Sequence, residues 1–236
     1  MRVRLHNLSA RSPGMSDLKA VAAIIATSAS DREEAHQERV EEEVEHDWHE
    51  PGFCLKSDAW VIVTNKGQIV GYADVRKGEA PLLIFRLHVS PDYRGRGIGT
   101  LLLWLVEERA RSMGEDMPAG ERVALATDVR AHTTGASRLL EREGYQVVRH
   151  FWRLSIELDE TVMESYADER QCGKIKMDLV VDSRTSVGPT SQDKRTGIYA
   201  IQQYDVYEKE LRAGDSLLTA SQPPQGAPGL GIDVSV

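Results

Sequence analysis

The sequence predicts an α/β (α+β) fold, a mixed, mostly antiparallel central sheet flanked by helices on both faces, with a C-terminal extension. Three observations carry this expectation. Residues 59–64 and 68–76 are strand-like runs separated by Asn65-Lys66-Gly67, a hairpin signal. The strand-like runs 82–90 and 123–127 bracket a helix-period run at 97–113. A further helical run, 133–142, leads into more strand signal at 145–157, so hairpins and crossovers share one sheet.

Taken in order, residues 3–8 read as a short first strand. Residues 15–28 place Leu18, Val21, Ala22 and Ile25 at helical spacing, with Ser16 or Asp17 positioned to cap the start. A second helix is expected at 31–50, where ten acidic residues accompany two arginines. Its apolar positions are few (Ala35, Val40, Val44, Trp48), so most of its surface is expected in solvent. Pro51-Gly52 stops it. In the strand at 82–90, Leu83, Phe85, Leu87 and Val89 make one face apolar. The other face passes from Leu82 and Ile84 to Arg86, His88 and Ser90. The helix at 97–113 reads with Leu101, Leu102, Leu105 and Val106 inward and Glu107, Glu108, Arg109 and Arg111 outward, and Gly114 ends it.

Beyond about residue 160 the character changes. Ile175, Met177, Leu179 and Val181 alternate like a half-buried strand, 183–197 is a polar loop, and 198–207 is a second, poorly alternating strand. Residues 221–236, with Pro223, Pro224, Pro228 and three glycines, read as disordered. The expected organisation is one domain over 1–158, a strand–loop–strand extension over 159–212 and a disordered tail over 213–236.

Composition narrows the function. A chain of 236 residues, 41% hydrophobic and 28% charged, can build a substantial core. A net charge of −8 argues against nucleic acid as a partner, because such binders replace counterions with a basic surface. No apolar run is long enough to span a bilayer, and residues 1–14 lack the apolar centre of a signal peptide. Cys54 and Cys172 read as free thiols of a reducing compartment, and a cytoplasmic location is expected.

The most informative stretch is 82–114, a strand that breaks at Pro91, passes through Arg94-Gly95-Arg96-Gly97-Ile98-Gly99-Thr100 and becomes a helix. Glycines at alternate positions let a backbone approach an anion closely, and the helix start aims amides and its positive dipole end at the same spot. Arg94 and Arg96 add charge and the Thr100 hydroxyl a donor, so a phosphate or pyrophosphate is the natural ligand. A P-loop would need Lys-Ser/Thr after the last glycine, whereas Gly99 precedes Thr-Leu. A dinucleotide fingerprint needs G-x-G-x-x-G, whereas these glycines stand at 95, 97 and 99. A ligand-free glycine turn would explain the glycines alone, but not Arg94 three residues before Gly97 with a helix directly behind.

Arg94-x-x-Gly97-x-Gly99, preceded by Leu87-His88-Val89-Ser90-Pro91, resembles the acyl-CoA-binding signature of the GNAT superfamily of N-acyltransferases. Ala136 followed by Leu139-Leu140-Glu141-Arg142-Glu143-Gly144-Tyr145 is similar to that family's A-x-x-L-Y-E-x-x-G-F segment. The resemblance implies acetyl-CoA as co-substrate, no metal, and an amine of a small molecule or peptide as acceptor. It implies that amides from Arg94 to Thr100 hold the pyrophosphate and that the backbone of Leu87, His88 and Val89 pairs with pantetheine. The Val89 amide would face the thioester oxygen, and the amine would attack directly, without a covalent enzyme intermediate. Thr133 stands where the family usually has Asn, and Leu140 where it usually has the Tyr that protonates the leaving thiolate. Tyr145 does not align with that missing Tyr.

For the general base, His88 on the polar strand face and Asp128 at the end of the next strand are the candidates. Each has an ordinary alternative, His88 as a strand histidine and Asp128 as a turn residue. His46 and His49, one helical turn apart, have metal-ligand spacing, but the sequence names no third or fourth ligand. The resemblance implies another use for the acidic helix, as a border of the acceptor cleft, where its carboxylates would favour cationic amines. A non-catalytic acyl-CoA-binding module stands as the alternative to an enzyme, and an interaction scaffold built on the acidic helix and tail is a third reading. The extension's strands are compatible with a homodimer as well as with plain decoration of the core.

Overall fold

A computed structural model describes residues 7–28, 34–78, 82–131, 133–158, 175–182 and 198–214. The chain forms two compact units, Met1–Thr127 with Glu210–Thr219, and Asp128–Lys209 with Ala220–Val236.

In the first unit, β1 (Leu8–Arg11), β2 (Ala59–Thr64), β3 (Ile69–Lys77) and β4 (Leu82–Val89) pair antiparallel in that order. β5 (Val123–Arg130) joins β4 in parallel. The β2–β3 hairpin turns at Gly67, whose N–H bonds Thr64 O at 2.9 Å. β3 is buried along nearly its whole length, as befits a strand covered on both faces. On one face lie α1 (Leu18–Ser28) and α2 (Glu34–Trp48): Val21, Ala22, Val44 and Trp48 cluster with Val61, Val63 and Tyr72. On the other lies α4 (Ile98–Glu115), which follows the single-turn α3 (Leu55–Asp58) in the chain. Here Gly71 permits close approach: a Cβ there would stand 2.9 Å from Ile98 and 3.2 Å from Leu102. Helices therefore cover both faces of a mixed, mostly antiparallel sheet, as the sequence predicts.

The structure corrects several details. The first strand is Leu8–Arg11 rather than 3–8, of which residues 3–6 lie outside the described residues. β1 is held by backbone pairing to β2 and exposes most of its side chains, so it has no alternation to read. Of the two capping candidates, Asp17 organises the start of α1: its carboxylate accepts the Gly14 N–H at 2.8 Å and binds Arg11 at 2.6 Å. In α4, Leu103 rather than Leu101 or Leu105 is fully buried, and Glu107 points inward, neutralised by Arg111 at 2.8 Å. The helix also runs through Gly114, whose missing side chain lets Val123 pack closely. The α3 turn carries the buried Asp58, which binds the Cys54 N–H at 2.8 Å and Arg109 at 2.7 Å.

In the second unit, α5 (Thr134–Arg142) precedes β6 (Gln146–Leu158), which lies between β8 (Ile198–Arg212) and β7 (Ile175–Asp182), antiparallel to both. Phe151 of β6 stacks on Tyr204 of β8 at 5.0 Å. The expected loop at 183–197 and tail at 221–236 lie outside the described residues. β8 is longer than its alternation suggests, and its last residues belong to the first unit. There the Arg212 guanidinium donates to Gly114 O (2.8 Å), Glu121 O (3.0 Å) and Pro118 O (2.7 Å), closing the end of α4. Arg212→Ala is expected to destabilise the chain by about 1–3 kcal/mol, since carbonyls lose a charged donor. Urea unfolding checks this: the midpoint should fall with the m-value unchanged.

Candidate functional site

β4 organises the site. Its parallel ladder with β5 runs Leu82↔Ala124, Leu83↔Leu125, Ile84↔Ala126 and ends there, although β4 continues to Val89. On the β3 side, pairing extends from Leu83 to Val89. Ser90 N–H bonds Val70 O at 3.0 Å, which fixes the alternation of the backbone groups. Residues in step with Ser90, including His88 and Arg86, turn their amides and carbonyls toward β3. Leu87 and Val89 turn theirs toward the opposite edge, past the end of the β5 ladder. In keeping with this, Val89 O accepts from Arg94 Nε at 3.3 Å.

Directly after β4, a short turn at Pro91–Tyr93 leads into the glycine loop. Arg94, Gly95 and Arg96 are exposed, Gly97 and Gly99 are half-buried, and Ile98 anchors the helix in the core. Arg96 lies over the Tyr93 ring at 4.7 Å and donates to Asp92 O at 3.0 Å. Gly97 is the N-cap of α4 with φ 86° and ψ 2°, left-handed backbone that a side chain would strain. The first bond back along the helix is Leu101 N–H to Gly97 O at 3.0 Å. The amides of Ile98 and Gly99 precede that bond, at the positive end of the helix dipole. Thr100 stands in the same first turn. An exposed pair of arginines, a glycine-headed helix and an open strand edge together suit an extended, phosphate-bearing ligand.

On the α2 face the structure brings together a polar cluster that the sequence reading missed. Tyr72 and Asp74 of β3 lie opposite His88 and Arg86 of β4. Asp74, fully buried, accepts from Tyr72 OH at 2.5 Å and pairs with Arg86. Arg86 reaches on to Asp47 at 2.6 Å, Arg76 binds Asp47 at 2.7 Å, and Trp48 Nε1 donates to Tyr72 OH at 3.0 Å. Asp47 is thus turned inward from the acidic helix, whose Glu38, Glu42 and Glu45 remain exposed. The signal was present: polar residues at period 2 on two strands, able to face each other. Without the register, nothing in the sequence paired them.

Burial alone would push the Asp74 carboxyl up, but Arg86 and Arg76, with hydrogen bonds from Arg86 and Tyr72, hold it below the usual carboxylate range. Burial and the Asp74 charge push the Tyr72 hydroxyl well above its ordinary value, so it stays protonated. His88 is pushed down to about 4, chiefly by desolvation and then by the Arg86 charge, so it is neutral at physiological pH.

In the second unit, Asp128 lies exposed on β5 and Thr133 is the N-cap residue of α5. Leu140 is buried at 4% exposure. Of the two histidines one helical turn apart, His49 engages Glu45 O through Nδ1 at 2.7 Å. Among the described residues no group of three or more His, Cys, Asp or Glu side chains converges on a metal position. No helix among them is long and apolar enough to cross a membrane.

The profile of the acetyltransferase (GNAT) family matches residues 21–145, more than half the chain. The chain belongs to the GNAT family. Among curated proteins, the mycothiol acetyltransferase of Saccharopolyspora erythraea is 33% identical over 113 residues, 46% of this chain and 37% of that protein. The match thus spans little more than a third of that relative. A GNAT enzyme structure from Sphaerobacter thermophilus superposes with TM-score 0.70 at 22% identity, covering 89% of this chain and 98% of that one. A Salmonella typhimurium structure, described as an acetyltransferase with its cofactor acetyl-CoA, gives TM-score 0.51 at 14% identity, covering 89% and 98%. These structures share the GNAT fold, with its mixed sheet and flanking helices.

Proposed function

We propose that this chain transfers an acetyl group from acetyl-CoA to a primary amine of a small molecule or peptide, by direct attack in a ternary complex. The observation that carries the donor half is the open edge of β4 immediately ahead of the helix headed by Gly97. The amides and arginines of 94–100 bind the pyrophosphate. Leu87 and Val89 offer backbone groups to pantetheine as an added strand would. His88, between them, contributes only its side chain to the other face. The Val89 N–H then faces the thioester oxygen, and a donor so placed is worth about 3 kcal/mol of transition-state stabilisation. The amine loses its proton to a base, and the thiolate leaves as coenzyme A.

A small acceptor is supported by the similarity to a mycothiol acetyltransferase. The exposed Glu38, Glu42 and Glu45 of α2 favour cationic amines by long-range attraction. Location in the cytoplasm belongs to the same proposal. The deciding assay incubates purified chain with acetyl-CoA and a panel of amines and follows free thiol. Thiol release that requires an amine is the expected result; none, with no thermal shift from coenzyme A, would reject the proposal.

The base role is tested at His88 and at Asp128 through the acid limb of the rate profile. A base must be unprotonated to act, and His88 is held neutral down to about pH 4. If His88 is the base, kcat/KM loses activity on the acid side with a midpoint near 4. An acid limb kept unchanged in His88→Ala would exclude His88. His88→Ala and Asp128→Asn, measured side by side, complete the assignment. A base far from the operating pH is a weak one, so the His88 substitution should fall at or below the lower end of the roughly 10²–10⁴-fold range for acid–base catalysts.

One observation favours a second reading, a non-catalytic acyl-CoA-binding module. Leu140 has no proton to give the leaving thiolate, and its side chain is packed away. A thiolate with an ordinary pKa of about 8.5 is a tolerable leaving group with water as the acid, so the enzyme reading is preferred. Leu140→Tyr separates the two: raised turnover at unchanged melting temperature marks an enzyme lacking an acid. Coenzyme A binding with no turnover in either form marks the module.

A further inference from the structure

Trp104 is the most exposed large apolar side chain among the described residues, at 58% exposure. A single exposed apolar side chain is ordinary on a protein surface, but an indole offers a broad flat face for stacking, so its place on the helix matters. It is not a misplaced core residue, because Leu102, Leu103 and Val106 around it are already buried. It stands four residues after Thr100, the spacing that puts two side chains on one helix face a single turn apart. Measured from Gly97, it lies about 10 Å along the helix at 1.5 Å per residue. A pyrophosphate held at 94–100 leaves a nucleoside attached through one sugar, and a base on that sugar has the reach to meet an aromatic face one turn on. Arg94 and Arg96 beside the loop are placed to neutralise the phosphates, and Arg96 already lies over the Tyr93 ring. Trp104 offers the base a face.

Resting on the donor reading above, we infer that Trp104 is the stacking surface for the adenine of coenzyme A. It is therefore a specificity-determining residue that favours nucleotide-bearing donors over shorter pantetheine thioesters. The test is isothermal titration of the full chain with coenzyme A and with 4′-phosphopantetheine, which keeps the pantetheine arm and one phosphate but lacks adenosine. Trp104→Ala should weaken coenzyme A roughly tenfold, within the range that loss of base–aromatic stacking produces. It should leave 4′-phosphopantetheine affinity unchanged, and Trp104→Phe should keep most of the coenzyme A affinity. Unchanged coenzyme A affinity in Trp104→Ala would overturn the inference and leave the proposed function standing. Equal losses for both ligands would overturn it too, pointing to a structural role or to a second copy of the chain covering the indole. A wild-type chain that binds neither ligand would overturn the donor reading and this inference together.

Discussion

Asp74→Ala is expected to destabilise the fold by about 3–5 kcal/mol, the range for removing one partner of a buried ion pair. Asp74 is fully buried and is the acceptor shared by Arg86 and Tyr72. Its removal leaves Arg86 and Arg76 with Asp47 as their remaining carboxylate in the cluster. The Tyr72 hydroxyl also loses the oxygen it donates to. Since whole domains have only about 5–15 kcal/mol of net stability, the effect should be plain in urea or thermal unfolding. The double substitution Asp74→Ala with Arg86→Met separates charge from shape: it should recover part of the loss, because the uncompensated guanidinium goes as well. Additive losses would mean that packing, not ion pairing, is what Asp74 supplies. The acid side follows with its sign. The folded Asp74 carboxyl titrates below its unfolded value of about 3.9, so its stabilisation is present above that pH and is lost as pH falls through the folded value. Asp74→Ala should therefore flatten the stability profile at the acid end.

The cluster also ties the acidic helix to the sheet. Asp47 and Trp48, at the end of α2, reach Arg86, Arg76 and Tyr72. The wall that α2 presents is therefore positioned by ionic contacts as well as by Val40 and Val44 in the core. Loosening it should raise KM for the amine more than for acetyl-CoA, if α2 borders the acceptor as proposed.

What the sequence made legible was whatever local chemistry determines. Asn65-Lys66-Gly67 needed only turn preferences, and the β2–β3 hairpin formed where they placed it. The place of the glycine loop between strand and helix was legible because the left-handed backbone at the head of α4 suits a glycine. Less legible were features set by distant partners. Glu107 reads as a surface residue by type, yet the inward face of α4 and Arg111 make it a buried one. β1 carries no pattern because its place is decided by the free edge of β2. Arg212 lies near the end of a segment with poor alternation, and its three carbonyl partners are about ninety residues away in sequence. At the site, the backbone direction of Leu87 and Val89 required the β3 register, which no residue type encodes.

Gly97→Glu is expected to abolish measurable coenzyme A binding, and Gly97→Ala separates the two reasons why. At φ 86° any side chain pays the left-handed penalty, roughly 1–2 kcal/mol. Both substitutions should therefore lower the melting temperature by similar amounts and shift the start of α4 alike. The glutamate adds a negative charge where phosphates are proposed to sit. Two unit charges 4 Å apart at an effective dielectric of 20 repel by about 4 kcal/mol, nearly a thousandfold in affinity. The alanine form should thus bind coenzyme A weakly but measurably, and the difference between the two should shrink at high salt as the charge is screened. Equal affinity for the two variants would mean that the loop is a structural turn and that the anion binds elsewhere. Full coenzyme A-dependent activity in Gly97→Glu would go further and remove the donor site from the head of α4 altogether.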